Sequence, residues 1–294
     1  MPDTLTTNLA EVIQPLIAAT YAQMPQEAPM MNLVTRINGT KGHDRVQIPR
    51  VNSTSSVMTP TEGDELVTAS QFDLTSTTIQ PTLRALMVRL SERVTYFSRD
   101  DVVSMVSKEL AQTQAQDIDT DLTAEFANFA TANDVGTTNT DLTLAVLRQA
   151  RQLLYSTTRA NGGPAPAPIF FVMHPVVEEN LFTNLGLQGV VGSTSPWIPA
   201  GISEEIIQNY HVPQNLLVGV TMFRDGYMTE NGSADHICGM FSKQALHLFM
   251  SKDWDMRTFE VPNWIGPVIR CVADYNSGVG AYTTWGAQIT ADGA

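Results

Sequence analysis

Serine and threonine dominate one stretch of the chain, and this stretch limits what the chain can fold into. Of the 26 residues from 53 to 78, 12 are Ser or Thr. A segment with so little apolar content cannot build a core of its own. The flanking residues 45–51 and 79–83 contain β-branched side chains in strand-like alternation. The sequence therefore predicts two extended strands joined by a polar tip at residues 61–65.

A two-stranded arm of this kind is only marginally stable in water by itself. It normally becomes stable by lying on another surface, and we expect that surface to belong to a second copy of the chain. Charged residues of the arm are the predicted ion-pair partners in such a contact. These candidate intersubunit residues are Arg45 and Arg50 on the first strand and Glu62, Asp64 and Glu65 at the tip.

Length and composition indicate a folded protein. At 294 residues and 43% hydrophobic, the chain can bury one large core or two modest ones. Its apolar runs are shorter than the roughly 18 residues that would span a bilayer, and its first residues lack the features of a signal peptide. We therefore expect it to stay in the cytosol where it is made. Two cysteines, Cys238 and Cys271, are too few for a disulfide framework and are expected as buried thiols.

The net charge of -13 is unevenly distributed along the chain. Residues 36–99 contain 8 Lys or Arg and 6 Asp or Glu, whereas residues 100–294 contain 9 and 21. Opposite potentials on two parts of one chain can steer copies into head-to-tail contact. The acidic surplus is also what keeps an ordinary globular protein soluble, so the charge alone leaves both roles open.

An acidic body argues against a protein that grips nucleic acid through its phosphates, because such a grip requires clustered Lys and Arg. The chain has only four lysines, at positions 41, 108, 243 and 252. An acidic surface nevertheless suits a protein that surrounds concentrated DNA without sticking to it. The charge therefore excludes a protein that binds DNA tightly through its phosphates and allows a protein that encloses DNA.

A long helix is predicted after the arm. Ser98 is placed as an N-cap, Asp101 follows three residues later, and Phe97 and Val102 form a hydrophobic staple around it. We predict a helix that begins at Arg99 and continues to about residue 131, since apolar residues recur every three or four positions. A second helix is predicted from about residue 141 to the stop signal at residues 161–164.

The second half of the chain first alternates between strand and helix and then changes to strands. Residues 168–175 form a short apolar run typical of a buried strand, and a helix is predicted from Pro175 to Leu185. Strands separated by Gly, Asn and Asp are predicted after that. Their ranges are 216–221, 236–241, 245–250, 255–261, 268–273 and 281–289.

This order of elements, over residues 36–290, resembles the HK97-fold major capsid proteins of tailed bacteriophages. The resemblance implies an α+β fold with an N-terminal arm, an extended β-hairpin loop, a long spine helix, and peripheral and axial domains. The implied segments are an arm at 1–35, the extended loop and its flanking strands at 36–98, the peripheral domain with its spine helix at 99–140, the axial domain at 141–250, and returning peripheral strands with the C-terminus at 251–294.

Two departures from that family refine the expectation. Some members begin with a helical scaffold segment that a protease removes, whereas only about 35 residues precede the hairpin here. We therefore expect a separate scaffolding protein. Other members form a lysine-to-asparagine bond from the extended loop to the next subunit. No lysine lies between Lys41 and Lys108, so the loop cannot form that cross-link.

Enzymatic alternatives have weak support in the sequence. His236 and Cys238 form a His-x-Cys pair, but a zinc site requires three or four ligands and Cys271 is the only other thiol. Strand alternation places the pair on one face, where a core role is expected. His174 precedes a helix without any nucleophile motif. The glycines within residues 186–192 do not have the spacing of a phosphate loop.

A calcium-loop pattern also fails. Asp117, Asp119 and Asp121 imitate the start of such a loop, but Leu122 occupies the position that needs Gly and Asn128 the position of the bidentate Glu. We expect these acids to form a solvated face of the long helix.

The resemblance implies a structural protein and not an enzyme, without a cofactor or a metal. It would be a major capsid protein that assembles with itself into pentamers and hexamers of an icosahedral shell, enclosing double-stranded DNA without sequence-specific binding. The other implied partners are a scaffolding protein and a portal, with a decoration protein as a further candidate and no membrane. The implied location is the virion capsid, after assembly in the host bacterial cytoplasm. The alternatives are an encapsulin-like cellular nanocompartment and, from another class, a metal-assisted hydrolase using His236 and Cys238.

Overall fold

The structure is a computed structural model that describes residues 29–40, 44–51, 59, 62, 73–91, 100–188, 218–228, 230–231, 234–260 and 267–293. Its helices are α1 (Met30–Leu33), α2 (Asp100–Ala124), α3 (Leu144–Ser156) and α4 (Pro175–Gln188). Its strands are β1 (Thr35–Asn38), β2 (Val46–Val51), β3 (Leu74–Ile79), β4 (Thr82–Arg89), β5 (Val135–Gly136), β6 (Ile169–Met173), β7 (Thr221–Arg224), β8 (Asp235–Ser242), β9 (Leu246–Glu260), β10 (Pro267–Val279) and β11 (Gly286–Asp292). None of the described helices combines the length and apolar character needed to cross a bilayer.

The chain divides into two compact units. The first consists of residues 1–46, 79–122 and 248–277, and the second of residues 47–78, 123–247 and 278–294. The predicted terminal segment 251–294 is thus divided between the units, because its last strand pairs with β8 of the second unit.

The first unit is built from a four-stranded sheet in the order β1-β9-β10-β4. Strands β10 and β4 are antiparallel, with Cys271 opposite Leu86. Alternate residues of β10 are fully buried, and they are Ile269, Cys271, Ala273 and Tyr275. Helix α2 lies on this face, since the Tyr275 phenol donates a hydrogen bond to Asp117. The buried residues of α2 recur three or four apart, as an amphipathic helix requires, and they are Leu110, Ala111, Gln114, Ala115, Ile118, Asp119 and Leu122.

The second unit contains a five-stranded mixed sheet in the order β5-β11-β8-β6-β7. Strand β8 pairs antiparallel with both β11 and β6, whereas β6 and β7 are parallel. Helix α3 packs against β11, β5 and β8. Four phenylalanine rings, which we call the aromatic cluster, pack around β8, and they are Phe126, Phe129, Phe170 and Phe241.

The hairpin predicted from the Ser/Thr-rich stretch is confirmed at its base, but its second strand does not lie at residues 79–83. Strand β3 ends at Ile79, and Thr82 begins β4, which pairs with β10 in the four-stranded sheet. Strands β2 and β3 pair with each other in a two-stranded sheet of their own. Strand β3 begins at Leu74, inside the stretch assigned to the polar connection, because four consecutive Ser and Thr residues at 75–78 are extended. Residue 62 lies in a turn. The other tip residues, including Asp64 and Glu65, lie outside the described residues.

Several boundaries differ from the prediction for identifiable reasons. Helix α2 ends at Ala124, before the predicted residue 131, because the chain tightens into a 3-10 turn at Glu125–Asn128 that brings Phe126 into the aromatic cluster. The predicted strands 245–250 and 255–261 form one long strand, β9. Strand β7 begins at Thr221, since Val218 and Gly219 form a turn with positive φ where a strand was predicted.

The predicted strand at 281–289 also begins late. Tyr282 and Trp285 lie three residues apart, a spacing typical of a 3-10 turn, and a 3-10 turn occupies Thr283–Trp285. Strand β11 starts only at Gly286, whose lack of a side chain matters because an added Cβ would lie 2.3 Å from the Phe129 ring.

Candidate functional site: the hairpin base and the exposed strand faces

The base of the hairpin is fixed to the loop before β11 by one tyrosine. The hydroxyl of Tyr282 donates a hydrogen bond of 3.1 Å to the carbonyl oxygen of Val51, the last residue of β2. The guanidinium of Arg50 lies 5.2 Å from the centroid of the same ring, within the range of a cation–π contact. These two contacts hold the end of β2 in one position.

The loop that carries Tyr282 is itself well supported. The Trp285 ring lies 4.6 Å from the Tyr282 ring, and its Nε1–H donates to the carbonyl oxygen of Gly163. Gly162 has φ of 98°, and an added Cβ there would lie 2.5 Å from the Tyr282 ring. Residue 162 must therefore be glycine, because a side chain there would collide with the Tyr282 ring. Sequence reasoning missed this support because it assigned residues 281–289 to a strand.

The five predicted intersubunit residues have different environments. Arg45 is exposed and lies 3.4 Å from Asp44, whereas the guanidinium of Arg50 packs on Tyr282. Glu62 is exposed in its turn. Asp64 and Glu65 lie outside the described residues. The role of all five in contacts between subunits stays a prediction.

Exposed apolar side chains are concentrated in the strands β2, β3 and β4. Of the seven large hydrophobic side chains that are exposed in the described residues, four lie in β2, β3 and β4. They are Val51, Leu74, Leu83 and Met87, and the exposure of Leu83 and Met87 is 65% and 49%. In β4 the two residues share one face by strand alternation, and Arg84 points to the other face, toward α2. Apolar side chains collected on an open strand face are typical of a surface that a partner covers.

The acids of α2 do not form the solvated face that the sequence suggested. Arg84 binds Asp121 at 2.5 Å and lies 3.7 Å from Asp117, which also accepts a hydrogen bond from Tyr275. Asp119, between them, is fully buried. We call Arg84, Asp117, Asp121 and Tyr275 the acid–arginine cluster. The expectation was wrong because the cation lies in a distant strand, and the cluster explains why Asp117 and Asp121 tolerate the side of the helix that faces β4 and β10.

His236 and Cys238 form part of the core, as expected. Both are buried, and the His236 ring stacks on His174 with centroids 3.8 Å apart. Burial raises the pKa of the Cys238 thiol to about 12, although a hydrogen bond from the backbone of His174 opposes the shift. Burial also lowers the pKa of His174, and the neighbouring His236 adds to this effect while Glu230 opposes it. The described residues contain no group of three His, Cys, Asp or Glu side chains placed to hold a metal ion.

Comparison with known proteins was informative only at the level of structure. No protein-family model and no curated protein sequence matches the chain. The capsid of a native GTA particle superposes with a TM-score of 0.68 at 11% identity, covering 90% of each chain. The capsid protein of cyanophage P-SCSP1u gives 0.63 at 15% identity, covering 89% of this chain and 87% of that one. The SrpI encapsulin of Synechococcus elongatus PCC 7942 gives 0.62 at 10% identity, covering 90% and 86%. The chain therefore has the α+β HK97-type fold shared by these shell proteins.

Proposed function

We propose that this protein is the major capsid protein of a tailed bacteriophage, a structural subunit that assembles with itself into a closed shell around double-stranded DNA. The observation that carries the proposal is the match of fold over about 90% of both chains to the GTA capsid, together with matches of similar extent to several phage capsids.

The assembly contacts of this proposal combine apolar and charged groups. The exposed apolar residues Leu74, Leu83 and Met87 would be covered by a second copy, which removes their surface from water. Arg45 and Glu62, both exposed, together with Asp64 and Glu65 would form ion pairs at the rim. The assembled form would consist of pentamers and hexamers, as in an icosahedral shell.

The proposal assigns mechanical containment and no catalysis. The pair that a hydrolase would need, His236 and Cys238, is buried in the sheet, and the Cys238 thiol has a pKa raised to about 12 by burial. A thiol with that pKa is almost entirely protonated at neutral pH and is a poor nucleophile and metal ligand. This environment supports a core role for the pair.

An encapsulin-like nanocompartment is the second candidate. It is favoured by the match to the SrpI encapsulin, whose TM-score of 0.62 is close to that of the cyanophage capsid. The two candidates share the subunit fold and differ in what the shell contains. If the protein is a capsid protein, we propose a scaffolding protein, a portal and a decoration protein as its partners. Its location would be the virion, and it would assemble in the host cytoplasm.

Negative-stain microscopy of the purified protein tests the proposal most directly. We expect closed particles of uniform size, and only small soluble oligomers under all assembly conditions would contradict the shell. Replacing residues 52–73 by a short Gly-Ser turn should leave a folded subunit and abolish the particles, because this segment contains few apolar residues that a core could use. Normal particles from the shortened protein would refute the role of the arm.

The contents of particles from the native source separate the two candidates. Nuclease-resistant double-stranded DNA inside them is expected for a capsid. Particles filled with protein and devoid of DNA would instead identify a nanocompartment.

A further inference from the structure

One helix of the second unit presents an outer face that is basic in an otherwise acidic chain. The inner side of α3 is apolar and buried through Leu147, Ala150 and Leu154. Its outer side carries arginines and glutamines, together with Tyr155, which is 43% exposed. Arg148 and Arg151 lie three residues apart on this side, and Arg159 follows in the 3-10 turn Arg159–Asn161 just beyond the helix. We call these three arginines the basic face.

The basic face lies in the longest part of the chain without an acid. Residues 142–177 contain three arginines and no Asp or Glu, although the whole chain has 30 acids and 17 Lys or Arg. Asp141 and Glu178 are the acids that flank this interval, and Glu178 forms an ion pair with Arg224. The surplus of positive charge at α3 is therefore not neutralised by its own segment.

The guanidinium of Arg151 is held in place without an acid. It lies 5.4 Å from the centroid of the Tyr155 ring, one turn further along the helix. It also lies beside Gly219, whose absent Cβ would be 3.4 Å from Nη2. Neither Arg151 nor Arg159 forms an ion pair within the part of the chain that the structure describes. A preorganised guanidinium with unused N–H donors is suited to an oxyanion.

We propose that the basic face of α3 is a contact surface for the phosphate backbone of double-stranded DNA. The inference rests on the proposed function, since a DNA-filled shell supplies the ligand. Arginines about one helical turn apart can each reach a phosphate, and the exposed glutamines Gln149 and Gln152 add neutral donors. Such contacts carry no base information, so binding is independent of sequence and falls steeply with salt.

Duplex DNA fits this surface better than an acidic protein segment does. Protein partners normally place apolar or aromatic groups in pockets at the centre of a contact. The exposed outer side of α3 offers one aromatic ring, that of Tyr155, and the ring already packs on Arg151. Apart from the small side chain of Ala145, the remaining exposed groups of this side are charged or polar, as in interfaces that bind a polyanion.

The test is binding of a fluorescein-labelled 24-base-pair duplex of mixed sequence to the purified, unassembled full-length chain. We expect binding at 50 mM salt that weakens as the salt concentration is raised. The variant Arg151→Gln with Arg159→Gln should weaken binding by at least about tenfold and reduce the slope of log K against log salt by about 2. The charge-preserving variant Arg151→Lys with Arg159→Lys should retain most of the affinity.

A matched control removes two positive charges elsewhere. Lys243→Gln with Lys252→Gln has the same net charge as the first variant and should bind DNA like the original chain. Equal weakening in both Gln variants, or no salt-dependent binding by the original chain, would overturn the inference. So would a basic-face variant that loses only the binding of a synthetic peptide of residues 58–68, since that outcome assigns the face to the acidic loop of a second copy.

A chemical measurement keeps the test valid even if the Gln variant fails to fold. Duplex DNA should protect Arg151 and Arg159 of the original chain from phenylglyoxal, read by mass spectrometry, and leave Arg257 reactive. Absence of this protection would refute the proposal. Particle formation is scored separately by microscopy, so failure to form shells and failure to bind DNA are distinguishable results.

Discussion

The two units of the molecule use different chemistry to hold a helical segment against a sheet. In the first unit, α2 meets the four-stranded sheet through the acid–arginine cluster, in which side-chain exposures of 31% for Arg84 and 22% for Asp121 leave the ion pair partly hydrated. In the second unit, the turn that follows α2 meets β8 through the aromatic cluster, in which Phe241 is fully buried. Stability in the first unit should therefore respond to charge and salt, and stability in the second to volume.

The largest effect is expected from the aromatic cluster. The variant Phe241→Ala removes a ring that lies 5.5 Å from the ring of Phe126 and within 6.4 Å of two further rings. We expect a loss of about 3–5 kcal/mol in the free energy of unfolding, independent of salt. Urea unfolding of the unassembled subunit at two salt concentrations measures it. Leu83→Ala, at a side chain that is 65% exposed, is the control and should change stability little.

A smaller effect is expected from the acid–arginine cluster. Arg84→Met leaves Asp117 and Asp121 without their cation, and the loss should be about 1–3 kcal/mol, because partial exposure lets water replace part of the interaction. The control Arg257→Met breaks a pair whose arginine is 68% exposed and should cost under about 1 kcal/mol. If both variants lost the same amount, the cluster would be an ordinary surface ion pair.

The second unit also contains an ionisable group, the buried thiol of Cys238. Burial raises its pKa from 9.0 to about 12, so the folded state keeps the proton more tightly than the unfolded state does. The stabilisation is complete below pH 9 and is lost as the pH rises toward 12. Between pH 8 and pH 10 this group alone should remove about 1 kcal/mol of stability. In Cys238→Ala, the fall in stability between those pH values should be smaller by that amount, and an unchanged fall would show that the thiol does not titrate as its burial implies.

The smallest expected change tests whether the first-unit contacts act together. Tyr275→Phe removes the hydroxyl that donates to Asp117 and should cost about 1 kcal/mol. Combined with Arg84→Met, the loss should differ from the sum of the two single losses by more than about 0.5 kcal/mol, because both groups share the same carboxylate. Strict additivity in urea unfolding would mean that the contacts are independent.

The sequence correctly predicted the structural features that are determined by residues close to one another in the chain. The Ser/Thr-rich stretch located the hairpin, three-to-four spacing located α2, and the order of elements indicated the HK97-type fold. Contacts between distant residues were missed. Arg84 is 37 residues from Asp121, and Tyr282 is 231 residues from Val51. Local periodicity contains no information about such pairs, so the acids of α2 were expected in solvent and the support of the hairpin base was not foreseen.

The same limit applies to the candidate site. Arg50 was chosen for its charge and its place on the hairpin, and its guanidinium packs on an aromatic ring of its own chain. The sequence did not indicate Arg151 and Arg159 as contact residues, because the total charge of -13 concealed a local surplus of positive charge. Strand alternation predicts that an apolar residue such as Leu83 is exposed only when it is known which face of the sheet is covered.

The contacts of Tyr282 have a consequence for genetics. A selection for variants that fold but fail to form particles would be expected to return substitutions at residues that touch a neighbouring subunit. Tyr282 would be returned as well, although its contacts are with Val51, Arg50 and Trp285 of its own chain. Second changes that suppress such a variant would be expected at residues of the same chain that pack on the ring, such as Trp285. A map of assembly-defective positions would therefore extend beyond the surface where copies meet.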